Sequence, residues 1–353
     1  MRVSGKTSLL AVLVMFPLVL GGCGLYKTHE STIKPQPDKV NYVKQSEKLN
    51  SKSDQKSSAA EDAKAGTVSR QLYLLDANGR VTPQVVNLPK RNDVAKQVLE
   101  YLIQDGPVSN ILPNGFQAVI PAGTTINSTK VEKNGTFVAD FSKDFLDYKA
   151  NEEKSILQAI TWTLTQFNNI KRVQIKIDGK VEKVMPVGKT VIGKGLSRAD
   201  GINTEIGDVV DVAASDSATI YYLSEHEGHI YYVPVTTRIE PGKNKITSAV
   251  NALIDGPEGK GLMSPFGSDV ELKGKPVIEN GVVTLDFNSS LFTDKNKKTV
   301  DSDAINCLAL TLTSQKGINK VKIEVNGSSK VMKESGQKIT KPVTRPEVNK
   351  TGV

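Results

Sequence analysis

In this 353-residue chain, the residues around Cys23 indicate a covalent modification of its thiol. It closes a Leu-Gly-Gly-Cys run at residues 20–23, directly after an apolar stretch from Leu9 to Leu20. Arg2 and Lys6 precede that stretch, which is shorter than the ~20 residues needed to span a bilayer and suits a secretory signal. A leucine three residues before a cysteine, with small residues between them, is typical of a bacterial lipoprotein signal. The run therefore predicts diacylglycerol on the Cys23 thiol.

An ordinary secreted protein whose signal happens to end in cysteine is the alternative interpretation. Every region of a lipoprotein signal is present in order, so we expect residues 1–22 to be a cleaved signal peptide. Burial of acyl CH₂ groups, ~0.8 kcal/mol each, would then hold the protein on the extracytoplasmic side of a membrane. Cys307 is left without a partner, so we expect no internal disulfide and a buried free thiol.

Two other groups of residues could carry chemistry. His226 and His229 stand three residues apart with glutamates beside them, a pattern that could ligate a metal. A polar turn between strands is favoured, because no further ligands accompany them. The Gly-Lys-Thr triplet at 188–190 is similar to part of a phosphate-binding loop, but Lys183 replaces the required earlier glycine and a strand-like sequence follows where a helix must start.

Catalysis is not expected from this sequence. Asp140 and Asp286 could imitate a pair of catalytic carboxylates, yet they occupy equivalent places in two similar halves, which favours solvated strand residues. The chain has only three histidines and no nucleophile motif. We therefore expect no enzyme activity, no metal and no cofactor. The net charge of +8, of which the signal contributes Arg2 and Lys6, suits solubility beside an anionic membrane better than nucleic-acid binding.

Residues 23–68 form a hydrophilic segment rich in Lys, Ser, Gln, Asp and Glu. Pro35 and Pro37 lie in it, and almost no apolar residue is spaced for burial. Such a composition predicts a disordered tether that sets the distance between the membrane and the folded part.

The rest of the chain is an internal duplication in which Arg70 to Ile192 matches Thr219 to Met332. Each half holds, in the same order, an apolar helix ending in Asp-Gly-Pro, an Asn-Gly pair between strand-like segments, a Leu-Thr pair in a second helix, and an alternating strand. The matched blocks are residues 102–107 with 253–257, 133–141 with 279–287, 164–165 with 312–313, and 170–179 with 318–327. Two copies of one domain are predicted.

The ends of the predicted elements follow from local signals. Asp93 is expected to cap the first helix, and Gly106 and Gly256 to supply its left-handed stop in each copy. Asn-Gly pairs tolerate the positive φ angles of a tight hairpin turn. Asn151 is the expected cap of the second helix, from about Glu152 to Phe167.

Strand alternation predicts which side chains are buried. Phe137, Ala139 and Phe141 share one face, and the closing strand alternates in the same way. Two further strands open each copy, at 72–75 and 81–86 or at 220–223 and 230–236, and the four tyrosines 221, 222, 231 and 232 on the second pair are expected in the core. The fold class is therefore α+β, with two tandem homologous domains of two helices packed on one face of a mainly antiparallel sheet. The expected organisation is signal 1–22, tether 23–68, first domain 69–196, linker 197–217, second domain 218–333 and flexible tail 334–353.

These features together resemble the GerM-type lipoproteins of spore-forming bacteria. The resemblance covers both copies, and its specificity lies in the whole arrangement. It implies a membrane-anchored sporulation and germination protein without catalytic residues, associated with the envelope complex that joins mother cell and forespore. The implied location is the outer forespore membrane, facing the intermembrane space. The core is also similar to ring-building domains of secretion-type assemblies, which implies homo- or hetero-oligomers.

A non-catalytic scaffold lipoprotein is therefore the function expected from the sequence. The alternative is a ligand-binding lipoprotein that delivers a small molecule, held between the two domains, to a transporter or receptor. That alternative needs an open cleft with convergent polar groups, and usually a parallel sheet, neither of which the pattern predicts.

Overall fold

The computed structural model describes residues 66–207, 209, 211–241, 244–347 and 349–350. The predicted signal peptide, Cys23 and nearly all of the predicted tether lie outside the described residues. Those described belong to one compact unit. Within these ranges, none of the helices combines the length and the hydropathy needed to cross a bilayer.

The first domain contains two helices and six strands. A hairpin opens it, a helix and a second hairpin follow, and a second helix leads into the closing strands. The elements are β1 (Thr67–Leu75), β2 (Val81–Pro89), α1 (Val94–Glu100), β3 (Ile126–Val131), β4 (Thr136–Phe141), α2 (Glu153–Leu164), β5 (Arg172–Ile177) and β6 (Lys180–Val181).

The second domain repeats this order except that three other short strands stand in place of β6. Two of these, β11 and β13, pair with each other, and the third joins the main sheet. The elements are β7 (Asp216–His226), β8 (His229–Ile239), α3 (Lys245–Asp255), β9 (Val277–Glu279), β10 (Val282–Phe287), β11 (Thr299–Val300), α4 (Ser302–Thr313), β12 (Lys320–Val325), β13 (Met332–Lys333) and β14 (Val343–Thr344).

Each domain has one four-stranded mixed sheet and one separate hairpin. The sheets run β3-β4-β5-β6 and β14-β12-β10-β9, and the hairpins are β1-β2 and β7-β8. All neighbours in the two four-stranded sheets are antiparallel except β4–β5 and β10–β12. These two pairs are parallel because a helix connects their strands, as a parallel crossover requires. The predicted fold class is confirmed, with the opening hairpin as a sheet of its own.

The second helix of each domain packs against both the hairpin and the sheet. Helix α2 contacts β1, β2 and β5, and α4 contacts β7 and β12. One threonine of each helix fixes the hairpin: the backbone N–H of Tyr73 donates to Thr163 Oγ1 at 2.9 Å, and that of Tyr221 to Thr311 Oγ1 at 3.0 Å. The two apolar cores form around these helices, one in each domain, and Phe137, Ala139 and Phe141 are buried as predicted.

Several predicted helix ends are wrong in detail. Asp93 precedes α1 without capping it, because its carboxylate pairs with Arg91 at 2.6 Å. Helix α2 follows Glu152 in place of Asn151. Helix α1 ends at Glu100, well before Gly106, whose φ is −85°, and Asp105 adopts the left-handed conformation with φ 56°. In the second domain the prediction is confirmed, since Gly256 ends α3 with φ 95°.

Asp140 is buried, against the prediction of a solvated strand residue, whereas Asp286 is half-buried, and both carboxylates make a structural hydrogen bond. One carboxylate oxygen of Asp140 accepts the backbone N–H of Gly179 at 2.9 Å, and Asp286 accepts that of Gly327 at the same distance. Both glycines have positive φ, of 81° and 73°, in the turn that follows the closing strand. The two aspartates therefore share a structural role: each fixes the turn at the end of its sheet.

Candidate functional site at the junction of the two domains

Two segments outside the predicted domains lie at the junction where β2 packs against β8. We call residues 198–203 the connecting arm and residues 343–347 with 349 the tail arm. The sequence predicts a linker over the first and a flexible tail over the second. The prediction of a flexible tail is wrong for the tail arm, because Val343–Thr344 pairs with β12 and the residues after it contact both domains.

An arginine of the connecting arm binds the C-terminal end of α2. Arg198 Nε donates to Thr165 Oγ1 at 3.0 Å and Nη2 to the carbonyl of Trp162 at 3.3 Å. Its guanidinium carbon lies 4.4 Å from the centroid of the Trp162 ring. The indole N–H of Trp162 in turn donates to the carbonyl of Gly201 at 3.2 Å. A cation at a helix C-terminus offsets the negative end of the helix dipole, so this contact stabilises both arm and helix.

An arginine of the tail arm binds the equivalent end of α4. Arg345 Nη1 donates to the carbonyl of Leu310 at 2.9 Å and to Thr313 Oγ1 at 3.2 Å. Leu310 and Thr313 occupy the places in α4 that Trp162 and Thr165 hold in α2. Arg345 Nη2 also donates to the hydroxyl of Tyr221 at 2.7 Å, with the guanidinium 5.1 Å from that ring's centroid.

Asn203 of the connecting arm joins the two domains through one side chain. Its Nδ2 donates to the carbonyl of Val81 in β2 and to that of Pro234 in β8, both at 2.8 Å. Its Oδ1 accepts the backbone N–H of Val81 at 2.9 Å. Both N–H donors and the carbonyl oxygen of this amide bind β2 or β8, so Asn203 acts as a tie between the two hairpins.

Asn349 of the tail arm makes the corresponding tie in the opposite sense. Its Nδ2 donates to the carbonyls of Pro83 at 2.7 Å and Tyr232 at 2.8 Å, and its Oδ1 accepts the Tyr232 backbone N–H at 2.8 Å. Asn203 thus holds both backbone groups of one residue of the first domain, and Asn349 those of one residue of the second. The junction has approximate two-fold symmetry, which follows from the duplication.

Two buried tyrosines and the two arm arginines form a cluster at the centre of the junction. Burial raises the pKa of Tyr73 far above its ordinary value, and the nearby Tyr221 hydroxyl adds to the effect. Burial also opposes ionisation of Tyr221, but the charges of Arg345 and Arg198 outweigh it and lower the pKa of Tyr221. Arg345 donates to the Tyr221 hydroxyl, and each guanidinium lies over an aromatic ring, so the cluster is held by hydrogen bonds and cation–π contacts.

Further contacts extend the junction beyond the arms. The Tyr231 hydroxyl donates to a carboxylate oxygen of Asp76 in the other domain at 3.1 Å, and its ring packs edge-on against Phe116 with centroids 5.2 Å apart. Arg80 donates to the carbonyl of Lys260. A junction with apolar contacts, hydrogen bonds and two ties is far better fixed than two domains on a flexible linker.

Comparison with known proteins agrees with the duplicated architecture. Residues 71–183 and 219–331 each match the family described as Germane, sporulation and spore germination. The two matched ranges together account for more than half of the chain. The chain belongs to the Germane family.

Members of this family with known sequence or structure include close relatives. The chain is 46% identical over 349 residues to the spore germination protein GerM of Bacillus subtilis strain 168, with 95% of each chain covered. It is also similar to the solved tandem GerMN domains of the sporulation protein GerM from Bacillus subtilis, at 49% identity and a TM-score of 0.76. That comparison covers 81% of this chain and all of the solved one. The resemblance expected from the sequence is confirmed.

The residues that the sequence singles out and the structure describes have separate roles in the Germane fold. Cys23 is outside the described residues, and its acylation stays a prediction. Cys307 is completely buried in α4, where burial raises the pKa of its thiol well above the ordinary value, in agreement with an inert thiol. His226 and His229 pair at the end of the β7–β8 hairpin, with His226 Nε2 4.0 Å from the Glu227 carboxylate. Within the described ranges, no group of three His, Cys, Asp or Glu side chains is placed to hold a metal ion.

The Gly-Lys-Thr triplet binds a carboxylate of the protein itself. The backbone N–H groups of Gly188 and Thr190 donate to the two oxygens of Glu153, at 2.6 and 2.9 Å, and the Tyr148 hydroxyl donates at 2.8 Å. Burial alone would raise the pKa of Glu153, but these hydrogen bonds together lower it below its ordinary value. The rejection of a phosphate-binding loop therefore agrees with the structure, and the loop's amides serve to fix the start of α2.

Sequence reasoning missed the four arm residues that build the junction. Each copy is followed by an arginine and, shortly after it, an asparagine: Arg198 with Asn203, and Arg345 with Asn349. Extension of the internal alignment past Ile192 and Met332 would have included both arms in the repeat. The tyrosines 221, 222, 231 and 232 are buried, as predicted. Three of them also serve the junction, Tyr221 and Tyr231 through their hydroxyls and Tyr232 through its backbone.

Proposed function

We propose that this Germane-family protein is a membrane-tethered, non-catalytic scaffold that organises or stabilises an envelope complex between mother cell and forespore. In this proposal a lipid on Cys23 holds the protein to the outer forespore membrane, and the hydrophilic segment to residue 65 gives it reach into the intermembrane space. The folded unit then meets its partners on a surface, where confinement raises their effective concentration.

The observation that carries the proposal is the fixed junction. The polar groups that converge there, among them Arg198, Asn203, Arg345 and Asn349, are engaged with each other and with the backbone of both domains. A scaffold needs surfaces held at constant distance and angle, and such a junction supplies them. A protein that closes around a small molecule needs an open cleft between its domains with polar groups left for the ligand.

The anchor is tested by fractionation of cells that produce the Cys23→Ala variant. We expect the variant to leave the membrane fraction or to retain its signal peptide, while Cys307→Ala, the matched change at the other cysteine, stays membrane-bound. Full retention of mature Cys23→Ala in the membrane fraction would refute the lipid anchor.

The scaffold role is tested by capture from sporulating cells after cross-linking. Wild-type protein, Cys23→Ala and a junction variant, Asn203→Ala with Asn349→Ala, are compared at equal abundance. We expect envelope proteins with the wild type and losses with both variants, since one lacks confinement and the other lacks fixed geometry. A thermal-shift screen with wall fragments, germinants and ions tests the alternative function. Strong stabilisation by a small molecule, with no protein captured, would favour a ligand-delivery protein over a scaffold.

A further inference from the structure

The outer face of the first domain's sheet forms an open groove with a volume of about 700 Å³. It lies on the side of the sheet opposite to the buried residues Phe137 and Ala139, and it crosses strands β3 to β6. Its lining is mainly polar and basic: Ser128, Lys130, Glu132, Asn134, Thr136, Val138, Arg172, Gln174, Lys176, Val181, Lys183, Gly193 and Lys194.

The charges in this groove are unbalanced. Five cations line it, Lys130, Arg172, Lys176, Lys183 and Lys194, and a single carboxylate, that of Glu132. In the part of the chain that the structure describes, none of these four lysines has a carboxylate within 4.0 Å.

Neighbouring groups reduce the positive charge of the groove without cancelling it. The carboxylate of Asp140, the cross-strand neighbour of Lys176, accepts the N–H of Gly179 and, together with that of Glu132, sets two carboxylates against the five cations. Arg172 is held in place by a neutral partner, the carbonyl of Gly195 at 2.7 Å.

The second domain shows that this excess is not a requirement of the fold. Strand register places Val277 opposite Thr284, as Lys130 lies opposite Val138, and Glu324 opposite Asp286, as Lys176 lies opposite Asp140. Two lysines of the first domain are thus replaced by an apolar and an acidic residue. Glu324 pairs with Lys322 at 2.7 Å, so a lysine on this face has a carboxylate partner among the described residues, unlike the four lysines of the groove.

Unpaired cations in a concave surface attract an anion. Like charges close together repel, and a groove focuses their field towards a ligand of opposite sign. The cations stand on β3, on β5 and on the segment after β6. Since neighbouring strands lie about 4.8 Å apart, β3 and β5 place their cations about 10 Å from each other. One small anion cannot contact all of them, whereas a chain with repeated anionic groups can.

We propose that this groove binds a linear polymer of phosphodiester units. Arg172 supplies a fork suited to phosphate oxygens, and the lysines supply further charges along the chain. The openness of the groove suits an extended polymer without bases or folded structure. Phosphodiesters are also present in anionic lipid headgroups, and the experiment separates these two sources. The inference depends on neither the lipid anchor nor the scaffold role.

The test measures binding of fluorescent poly(glycerol phosphate) to the full chain in a neutral detergent, by anisotropy. The groove variant, Lys130→Val with Lys176→Glu, gives the first domain the residues of the second. Its control, Lys149→Val with Lys154→Glu, makes the same charge change at exposed positions outside the groove. We expect about tenfold weaker binding for the groove variant, a change under twofold for the control, and weaker binding of the wild type as salt is raised.

Four results would overturn the assignment. The first three are absence of salt-sensitive binding, equal losses in groove variant and control, and equal binding of poly-glutamate, which would remove the preference for phosphate. The fourth is binding to phosphatidylglycerol vesicles without binding to the soluble polymer. It would show that the groove binds a lipid headgroup and would refute the proposed polymer ligand. A second measurement adds Val277→Lys and Glu324→Lys to the groove variant. We expect these lysines, on the equivalent face of the second domain, to recover part of the affinity.

Discussion

The connecting arm and the tail arm perform the same task with different aromatic partners. Arg198 lies over the Trp162 ring at the end of α2. Leu310 stands in the place of Trp162 in α4, and Arg345 lies over Tyr221 of the hairpin instead. The hydrogen bonds to the helix carbonyl and to the threonine hydroxyl are the same in both. The comparison teaches that the arginine-to-helix-end contact is the common element, and that the ring beneath the guanidinium can be exchanged.

The arms also differ in how the chain restrains them. The connecting arm is covalently continuous with both domains, while the tail arm continues from the second domain and reaches the first through contacts alone. Those contacts must offset the conformational entropy of the arm, about 1–2 kcal/mol for each residue's backbone. Changes in the tail arm are thus expected to have the larger effects.

The largest effect is expected from removal of the tail arm. A chain truncated after Lys341 loses the β12–β14 pairing and all bonds of Arg345 and Asn349, and we expect a loss of unfolding free energy on the order of 5 kcal/mol in urea. The control is truncation after Lys350, which retains the tail arm. A loss below about 1 kcal/mol for the first truncation would show that the arm is not a structural part of the unit.

Replacement of one arm arginine tests the difference between the arms. We expect Arg345→Met to cost about 3 kcal/mol and Arg198→Met about 2 kcal/mol, because Arg345 also donates to the Tyr221 hydroxyl. Lys341→Met, at an exposed position just before the tail arm, is the matched control with little effect. Equal costs for the two arginines in urea titrations would contradict the role given to Tyr221.

Glu153 offers a pH-dependent comparison between the starts of α2 and α4. Its folded-state pKa lies below the ordinary value of 4.5, so its stabilisation is present above pH 4.5 and is lost as pH falls through the lowered value. We expect Glu153→Gln to cost about 2 kcal/mol at pH 7, with the difference from wild type shrinking on acidification.

Asp301, at the equivalent position before α4, accepts the N–H groups of Asp303 and Ala304. Asparagine caps helices as well as aspartate does, so Asp301→Asn is expected to change stability by under about 0.5 kcal/mol.

The contradicting outcome for Glu153 is a difference in unfolding free energy between wild type and Glu153→Gln that grows towards low pH. Such a result would mean that the Glu153 pKa is raised in the folded state.

A smaller effect than those of the tail arm, the arm arginines and Glu153 is expected at the buried cysteine of α4. Ala159 occupies the place in α2 that Cys307 has in α4, and both are fully buried. Cys307→Ala therefore installs the residue of the other domain, at a cost of about 1 kcal/mol. In a Cys23→Ser background we expect the Cys307 thiol to react with a disulfide reagent only after unfolding. Reaction of the native protein at the rate of the unfolded chain would show that the thiol is accessible.

Much of the fold could be predicted because its signals are local and occur twice. The alternation of apolar and polar residues along the strands predicted the burial of Phe137, Ala139 and Phe141. The order of strands and helices is also as the duplication indicated. The helix ends were less predictable, because an expected capping residue can make another interaction. Asp93 pairs with Arg91 and does not cap α1. The parallel pairing of β4 with β5 depends on where the crossover helix packs, which no short pattern records.

The junction could not be predicted because its partners are distant in sequence. Asn349 bonds to Pro83 and Tyr232, and neither spacing nor hydropathy relates these three positions. A polar stretch with Pro342 and Pro346 looks the same in a flexible tail as in an ordered arm. Only the repetition of an arginine followed by an asparagine after each domain carried the information.

The distance between the two domains tests the fixed junction most directly. Spin labels at Ser128→Cys and Lys275→Cys, exposed positions in different domains, are placed in a Cys23→Ser, Cys307→Ala chain, and the distance distribution is measured by electron–electron double resonance. We expect one narrow distribution in the intact unit, and a broad one after Asn203→Ala with Asn349→Ala. A broad distribution in the unit with both arms intact would contradict the account.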